Sequence, residues 1–99
     1  MKFLLIGNQV NQTASHEDQI LYLESTKKWV DAKMNDGSLE SAYSFPAGGG
    51  LFIANVDSHE DLMKFLVDFP LRPWSDFEVH ALSDFNQSTD IVIDALKGP

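Results

Sequence analysis

Two stretches of this chain begin almost alike. Ser15 opens SHEDQILYL and Ser58 opens SHEDLMKFL, and in each the serine precedes two acidic residues and then an apolar pattern. The physical content is a helix start. A serine hydroxyl at the N-cap accepts a hydrogen bond from the backbone N–H three residues on. Glu17, Asp18, Glu60 and Asp61 then put negative charge in the first turn, where the helix dipole favours it. Any two well-capped helices can share these letters without common ancestry, but the constraint on folding is the same: two helices, similarly begun. The first is predicted over residues 15–35, with Ile20, Leu23, Val30 and Met34 as its core stripe, Lys27 on the same side, and Asp36-Gly37 as its stop. The second is predicted over 58–69. Its Leu62, Phe65, Leu66 and Phe69 fall at i, i+3, i+4 and i+7, one amphipathic face. Pro70 ends it, because proline lacks an N–H and pushes the preceding residue out of the helical region.

Strands fit around these helices. Residues 3–7 (FLLIG) and 51–56 (LFIANV) are apolar on both faces, as central strands are. Residues 39–45 and 76–82 alternate, as edge strands do. The order βαββαβ is that of a ferredoxin-like α+β sandwich, with residues 1–99 forming a single domain. Helices cover one face of such a sheet. The second apolar face needs another cover, and a second subunit's sheet supplies it, which predicts a homodimer or a higher homo-oligomer. Residues 84–99 form a C-terminal tail. Ser88 can cap a short helix with Ile91, Val92, Ala95 and Leu96 inward, or DIVIDAL can lie as a strand on a neighbour. Either way the tail is expected to dock, on its own chain or on a neighbouring subunit.

Composition narrows the partners. Asp and Glu number 15 against 7 Lys and Arg, so nucleic acid and anionic membrane surfaces, both recognised through basic excess, are not expected. There is no cysteine, which removes disulfides, thiolate nucleophiles and cysteine-based metal sites. The apolar run after Lys2 is too short for a signal peptide and nothing approaches a membrane span, so a cytoplasmic protein is expected. His16, His59 and His80 show no metal-ligand spacing, so no metal is expected. Gly48-Gly49-Gly50 lacks the strand-then-helix setting of a phosphate loop and reads as a hairpin turn, with close approach of backbone to a ligand as its lesser reading.

The most specific segment spans residues 62–79. Asp61-Leu62, then Phe69-Pro70-Leu71, Pro73, Trp74, Asp76, Phe77, Glu78, Val79 and Leu82 resemble the muconolactone isomerase family, whose members carry a similar D/E-L…L-P-L-x-P-Y/W-x-D-I/F-E-V run. The resemblance extends over nearly the whole chain. It implies a dimeric α+β barrel and cofactor-free isomerisation of a small unsaturated lactone in aromatic compound catabolism. The chain departs from the family after the helix-ending glycine. There the family has His and Arg residues and this chain has Ser38, Leu39, Glu40, Ser41, Ala42 and Tyr43; Gly48-Gly49-Gly50 replaces a family Gly-Arg-Tyr.

Such an isomerisation needs a base to remove a proton next to a conjugated carbonyl, an acid to return it elsewhere, and a donor at the oxygen where charge gathers. It needs no cofactor. Glu78 and His80, two apart on a strand, share a face: they either divide the base and acid roles on a pocket wall or face solvent from an edge strand. Tyr43 is a candidate oxyanion donor, or an aromatic half-buried at a sheet edge. Lys27 and Arg72 are candidate substrate-binding cations. The alternatives are a snorkelling lysine and a surface ion pair. Trp74 anchors the stiff crossing into the last strand and is a third candidate substrate contact. Tyr22 and Trp29 lie off the expected core stripe, as pocket walls or as a ridge at a subunit interface. The expected function is a cofactor-independent isomerase of a small lactone or related ketone, Glu78 as base and His80 as proton partner. The alternatives are a non-catalytic ligand-binding or assembly module of the same fold, and a cofactor-free monooxygenase or cyclase.

Overall fold

The computed structural model describes residues 1–10 and 13–98. The elements run β1 (Lys2–Gln9), α1 (His16–Asn35), β2 (Leu39–Ser44), β3 (Gly50–Asn55), α2 (His59–Asp68), a single 3-10 turn (Arg72–Trp74), β4 (Ser75–Leu82) and α3 (Phe85–Lys97). Both repeated helix starts cap as the sequence predicts. Ser15 Oγ accepts from the Asp18 N–H at 3.2 Å and Ser58 Oγ accepts from the Asp61 N–H at 3.1 Å. At the end of α1 the chain turns through Gly37 at φ 83°, a conformation that favours glycine. Phe69 is extended ahead of Pro70, which closes α2.

The strands form one antiparallel sheet in the order β2-β3-β1-β4, so the two apolar strands are central and the two alternating strands are edges. This is the ferredoxin-like α+β fold. Pairing register fixes the faces, because residues directly opposite across strands share one. Leu39, Ala54, Phe3 and Ala81 form one row on the helix-bearing face; Ala42, Phe52, Leu5 and Val79 form the next. The core sits there: Phe3, Leu5, Leu39 and Ala54 are buried against Leu62 and Phe65 of α2. On the opposite, open face, Tyr43, Leu51, Ile6 and Glu78 form one row, and Ser41, Ile53, Leu4 and His80 the next.

Two expectations are corrected. Of the expected Ile20–Leu23–Val30–Met34 stripe only Val30 packs against the core: Ile20, Leu23 and Met34 are 56%, 57% and 43% exposed. The half-buried positions are Gln19, Thr26, Trp29, Val30 and Lys33, a rotation of about one residue, or roughly 100° of helix. Trp29 sets that phase. Its ring lies 4.7 Å from Phe65, 5.3 Å from Phe69 and 6.0 Å from Phe52. Its Nε1–H donates to Asp68 Oδ2 at 2.9 Å, and the Lys33 ammonium lies 3.9 Å from that same oxygen. Trp29 is therefore a core residue of its own chain, while Tyr22 packs edge-on against Trp74 at 4.5 Å. Second, the tail is a helix rather than a strand, and its cap is Asp84, whose Oδ2 accepts from the Gln87 N–H at 3.0 Å. Ser88 sits in the second turn and donates to Ser83 Oγ at 2.7 Å. A carboxylate at the N-cap also suits the helix dipole, so Asp84 outcompetes Ser88.

Candidate functional site

Between α1 and the helix-bearing face lies a cavity of about 650 Å³. Its origin is visible in the sequence. The row across the sheet at this end is Ser44, Gly50, Gly7 and Phe77, three small residues and one ring. Nothing large rises from the sheet to meet α1, so a space remains. The glycines are held by packing. A Cβ at Gly7 would stand 3.1 Å from Phe77 Cε1, and one at Gly49, which has φ 80°, would run into the Gly7 carbonyl oxygen.

The floor of the cavity is aromatic. Phe52, Phe69 and Phe77 are mutually packed, with ring centroids 5.3 to 6.5 Å apart. Leu71 and Trp74 continue this wall along the crossing from α2 to β4. That crossing is fixed by the 3-10 turn, by the Tyr22–Trp74 contact and by the Val10 N–H donating to the Trp74 carbonyl at 2.9 Å. The roof is the α1 series Gln19, Leu23, Thr26, Lys27, Val30 and Asp31. Two of its polar groups are occupied by the helix itself: Gln19 Nε2 donates to the Ala14 carbonyl at 2.9 Å and Thr26 Oγ1 to the Tyr22 carbonyl at 2.7 Å. Lys27 and Asp31, one turn apart and exposed, are the charged side chains that border the cavity, and neither forms an ion pair among the described residues. A half-buried apolar floor beside a free ammonium and a free carboxylate can hold a planar oxygenated ring and move a proton on it.

The structure divides the residues singled out by sequence. Lys27 and Trp74 border the cavity. Tyr43 borders its end, but pairing with Leu51 turns the ring to the open face, where it is 67% exposed. Arg72 is exposed on the 3-10 turn and does not line the cavity. Glu78 and His80 do share a face and are hydrogen bonded, His80 Nε2 to Glu78 Oε2 at 3.0 Å, but both stand on the open face with half or more of each side chain exposed. Sequence reasoning passed over Asp31, Gln19 and Thr26. The signal that finds Gln19 and Thr26 is the α1 series 19, 23, 26, 30, which becomes visible once Trp29 fixes the helix phase; Asp31 lies off that series, one turn beyond Lys27 at the cavity's border. Asp36, at the C-terminal end of α1 and outside the cavity, is held below the usual carboxylate value by its hydrogen bonds with Ser38, with a lesser contribution from Lys33. Among the described residues no three His, Asp or Glu side chains are grouped to hold a metal ion, and no helix is long and apolar enough to cross a membrane.

No family model matches the chain, and no curated protein matches it in sequence. Solved structures do match. A crystal structure of muconolactone isomerase superposes with a TM-score of 0.73 at 20% identity, covering 85% of this chain and 90% of that one. The 5-chloro-2-hydroxyhydroquinone dehydrochlorinase of Burkholderia phenoliruptrix AC1100, solved in complex with 2,5-dihydroxybenzoquinone, superposes with a TM-score of 0.67 at 11% identity, covering 88% and 98%. The chain thus has the fold of these two enzymes, and the resemblance read from residues 62–79 holds at the level of three-dimensional structure.

Proposed function

We propose that the protein is a cofactor-independent proton-transfer enzyme, an isomerase of a small unsaturated cyclic carbonyl compound such as a lactone or related ketone, working in the cytoplasm. The observation that carries this reading is the cavity beneath α1, with its aromatic floor and its two unpaired charges. A flat conjugated ring lies against Phe52, Phe77 and Trp74. Lys27 donates to the carbonyl oxygen where charge gathers, as a cation does at a developing enolate. Asp31 removes a proton from the carbon next to the carbonyl, leaving the electron pair delocalised over the enolate, and returns a proton at the far carbon of the conjugated system. Both neighbours in fold act on small molecules, one of them caught with a quinone ring, which supports this class of ligand.

A second reading keeps Glu78 as base and His80 as its proton partner. It is favoured by their 3.0 Å contact and by Tyr43 in the same cross-strand row as Glu78. It requires a second subunit to cover the open face, which we take to be the case: Leu4, Ile6, Leu51 and Ile53 form an apolar centre there that a homodimer buries.

One experiment separates these readings. The protein is incubated in D₂O with muconolactone, substituted analogues and small hydroxyquinones, and deuterium uptake next to the carbonyl is followed by NMR. Exchange above buffer is expected, falling roughly 10²-fold or more in Asp31→Asn and little in Glu78→Gln. Loss in Glu78→Gln with Asp31→Asn intact moves the chemistry to the open face. No exchange across the panel refutes catalysis and leaves a ligand-binding or assembly module. A requirement for O₂ points to a monooxygenase.

A further inference from the structure

The cavity beneath α1 carries a charge balance that bears on which rings it accepts. From the sheet and from the crossing into β4 it receives only apolar or neutral side chains, among them Phe52, Phe77, Trp74, Ser44 and Ser75. Charge enters from one side, through Lys27 and Asp31 of α1. The cations nearby are committed elsewhere or lie outside the wall: Lys2 pairs with Glu40, Lys33 faces Asp68, and Arg72 does not reach the cavity. Among the described residues the cavity therefore holds one ammonium and one carboxylate, and the two charges cancel. They stand one helical turn apart, a spacing that puts Cβ atoms about 5–6 Å from each other. A ligand group that reaches the ammonium also meets the field of the carboxylate.

The choice of substrate rests on the proton-transfer reading of this same site. In that step the C–H bond next to the carbonyl breaks and its proton passes to the Asp31 carboxylate. The electron pair moves into the enolate, and its oxygen becomes negative beside the Lys27 ammonium. With an uncharged ring, one positive and one negative charge are present before the transfer and one of each after it. Asp31 becomes neutral as the enolate forms, so no net charge is ever left in the cavity. A ring that bears its own carboxylate breaks this balance. Bound to Lys27, that carboxylate takes the donor the enolate oxygen needs. Placed elsewhere, it lies on an apolar floor within a few ångströms of a like charge, and both surroundings penalise it. The acidic excess of the whole chain, 15 Asp and Glu against 7 Lys and Arg, acts in the same direction.

We propose that the site selects an uncharged unsaturated ring, a lactone or cyclic ketone without an ionised substituent, and that Asp31 turns carboxylate-bearing rings away. Asp31 thereby has a second role, as the group that sets specificity by charge. Gln19 and Thr26 do not offset it, because each is a neutral group already bonded to a carbonyl of α1 or its approach.

The test compares one ring in two charge states, using the full chain. Saturated carboxymethyl butyrolactone and its methyl ester, neither of which can isomerise, are titrated calorimetrically into the protein. The ester is expected to bind roughly tenfold more tightly than the acid. In Asp31→Asn the acid gains affinity until the two are nearly equal, because Lys27 is then unopposed, while the ester changes little. An acid that binds wild type as tightly as the ester, or more tightly, overturns the proposal. A preference for the ester that Asp31→Asn leaves unchanged overturns the role given to Asp31. Deuterium uptake by the unsaturated lactone and its methyl ester, followed in parallel, reports on catalysis separately. An ester preference that depends on Asp31, without any exchange, refutes the proton-transfer reading and upholds the selection by charge. Exchange that runs faster on the acid than on the ester does the reverse. If neither saturated lactone binds and neither unsaturated one exchanges, both readings fall.

Discussion

Replacing Trp29 by alanine tests the phase of α1, and with it the wall of the cavity. The indole is wedged among Phe52, Phe65 and Phe69 and tied to Asp68. Truncating a buried tryptophan costs about 3–5 kcal/mol. Trp29 is only half-buried and its Asp68 bond is exposed, so the lower end, about 3 kcal/mol, is expected here. For a domain of this size that lowers Tm by roughly 12–24 °C. Met34→Ala is the control. Met34 is 43% exposed, and its truncation is expected to cost about 1 kcal/mol or less. Urea unfolding followed by far-UV circular dichroism, at matched protein concentration, measures both. The order decides the matter. A Met34→Ala cost equal to or above that of Trp29→Ala means that Met34 faces the sheet, that α1 is turned by about one residue, and that Trp29 does not set its phase.

Further outcomes follow from the local structure. Ser58→Ala leaves the Asp61 N–H without its acceptor and is expected to cost about 1 kcal/mol in the same urea experiment; Ser15→Ala, on the fully exposed first turn of α1, costs no more. Gly7→Ala drives a methyl group to 3.1 Å from the Phe77 ring, at the floor of the cavity. It is expected to cost about 1–3 kcal/mol and to weaken any ligand held there, which calorimetric titration of wild type and variant with one ligand reads directly. Asp36 has a lowered folded pKa, so the folded state gains from its ionisation above the unfolded value of about 3.8, and that gain is lost as pH falls through the folded value. Carboxyl carbon shifts in an NMR titration should place its midpoint below 3.8 in the folded protein, and Ser38→Pro, which removes the donor N–H, should raise it.

The fold was legible because its signals are local. Serine caps, Gly37, Pro70 and the contrast between doubly apolar and alternating strands each act within a few residues, and they set helices, stops and strand rank without reference to the rest of the chain. The phase of α1 was not legible in this way. Over twenty residues it offers apolar side chains on several sides: Ile20, Leu21, Leu23, Trp29, Val30 and Met34. Counting them cannot decide between two faces 100° apart. The decision is made by one large side chain meeting three rings on β3, on α2 and at its end, contacts that are remote in sequence.

The placement of Glu78 and His80 shows the other limit. Their spacing puts them on one face of β4, and they are on one face, in contact. Spacing alone does not say which face carries the helices. The missing half of the argument lay in the same strand: Phe77, Val79 and Ala81 alternate with them, and an edge strand turns its apolar side to the core. In this fold the core and the cavity share that side, since α1 and α2 cover one face only. The alternation that makes β4 an edge strand therefore sends Glu78 and His80 away from the cavity. Any chemistry assigned to them depends on a second subunit, whereas Lys27 and Asp31 border the cavity of a single chain.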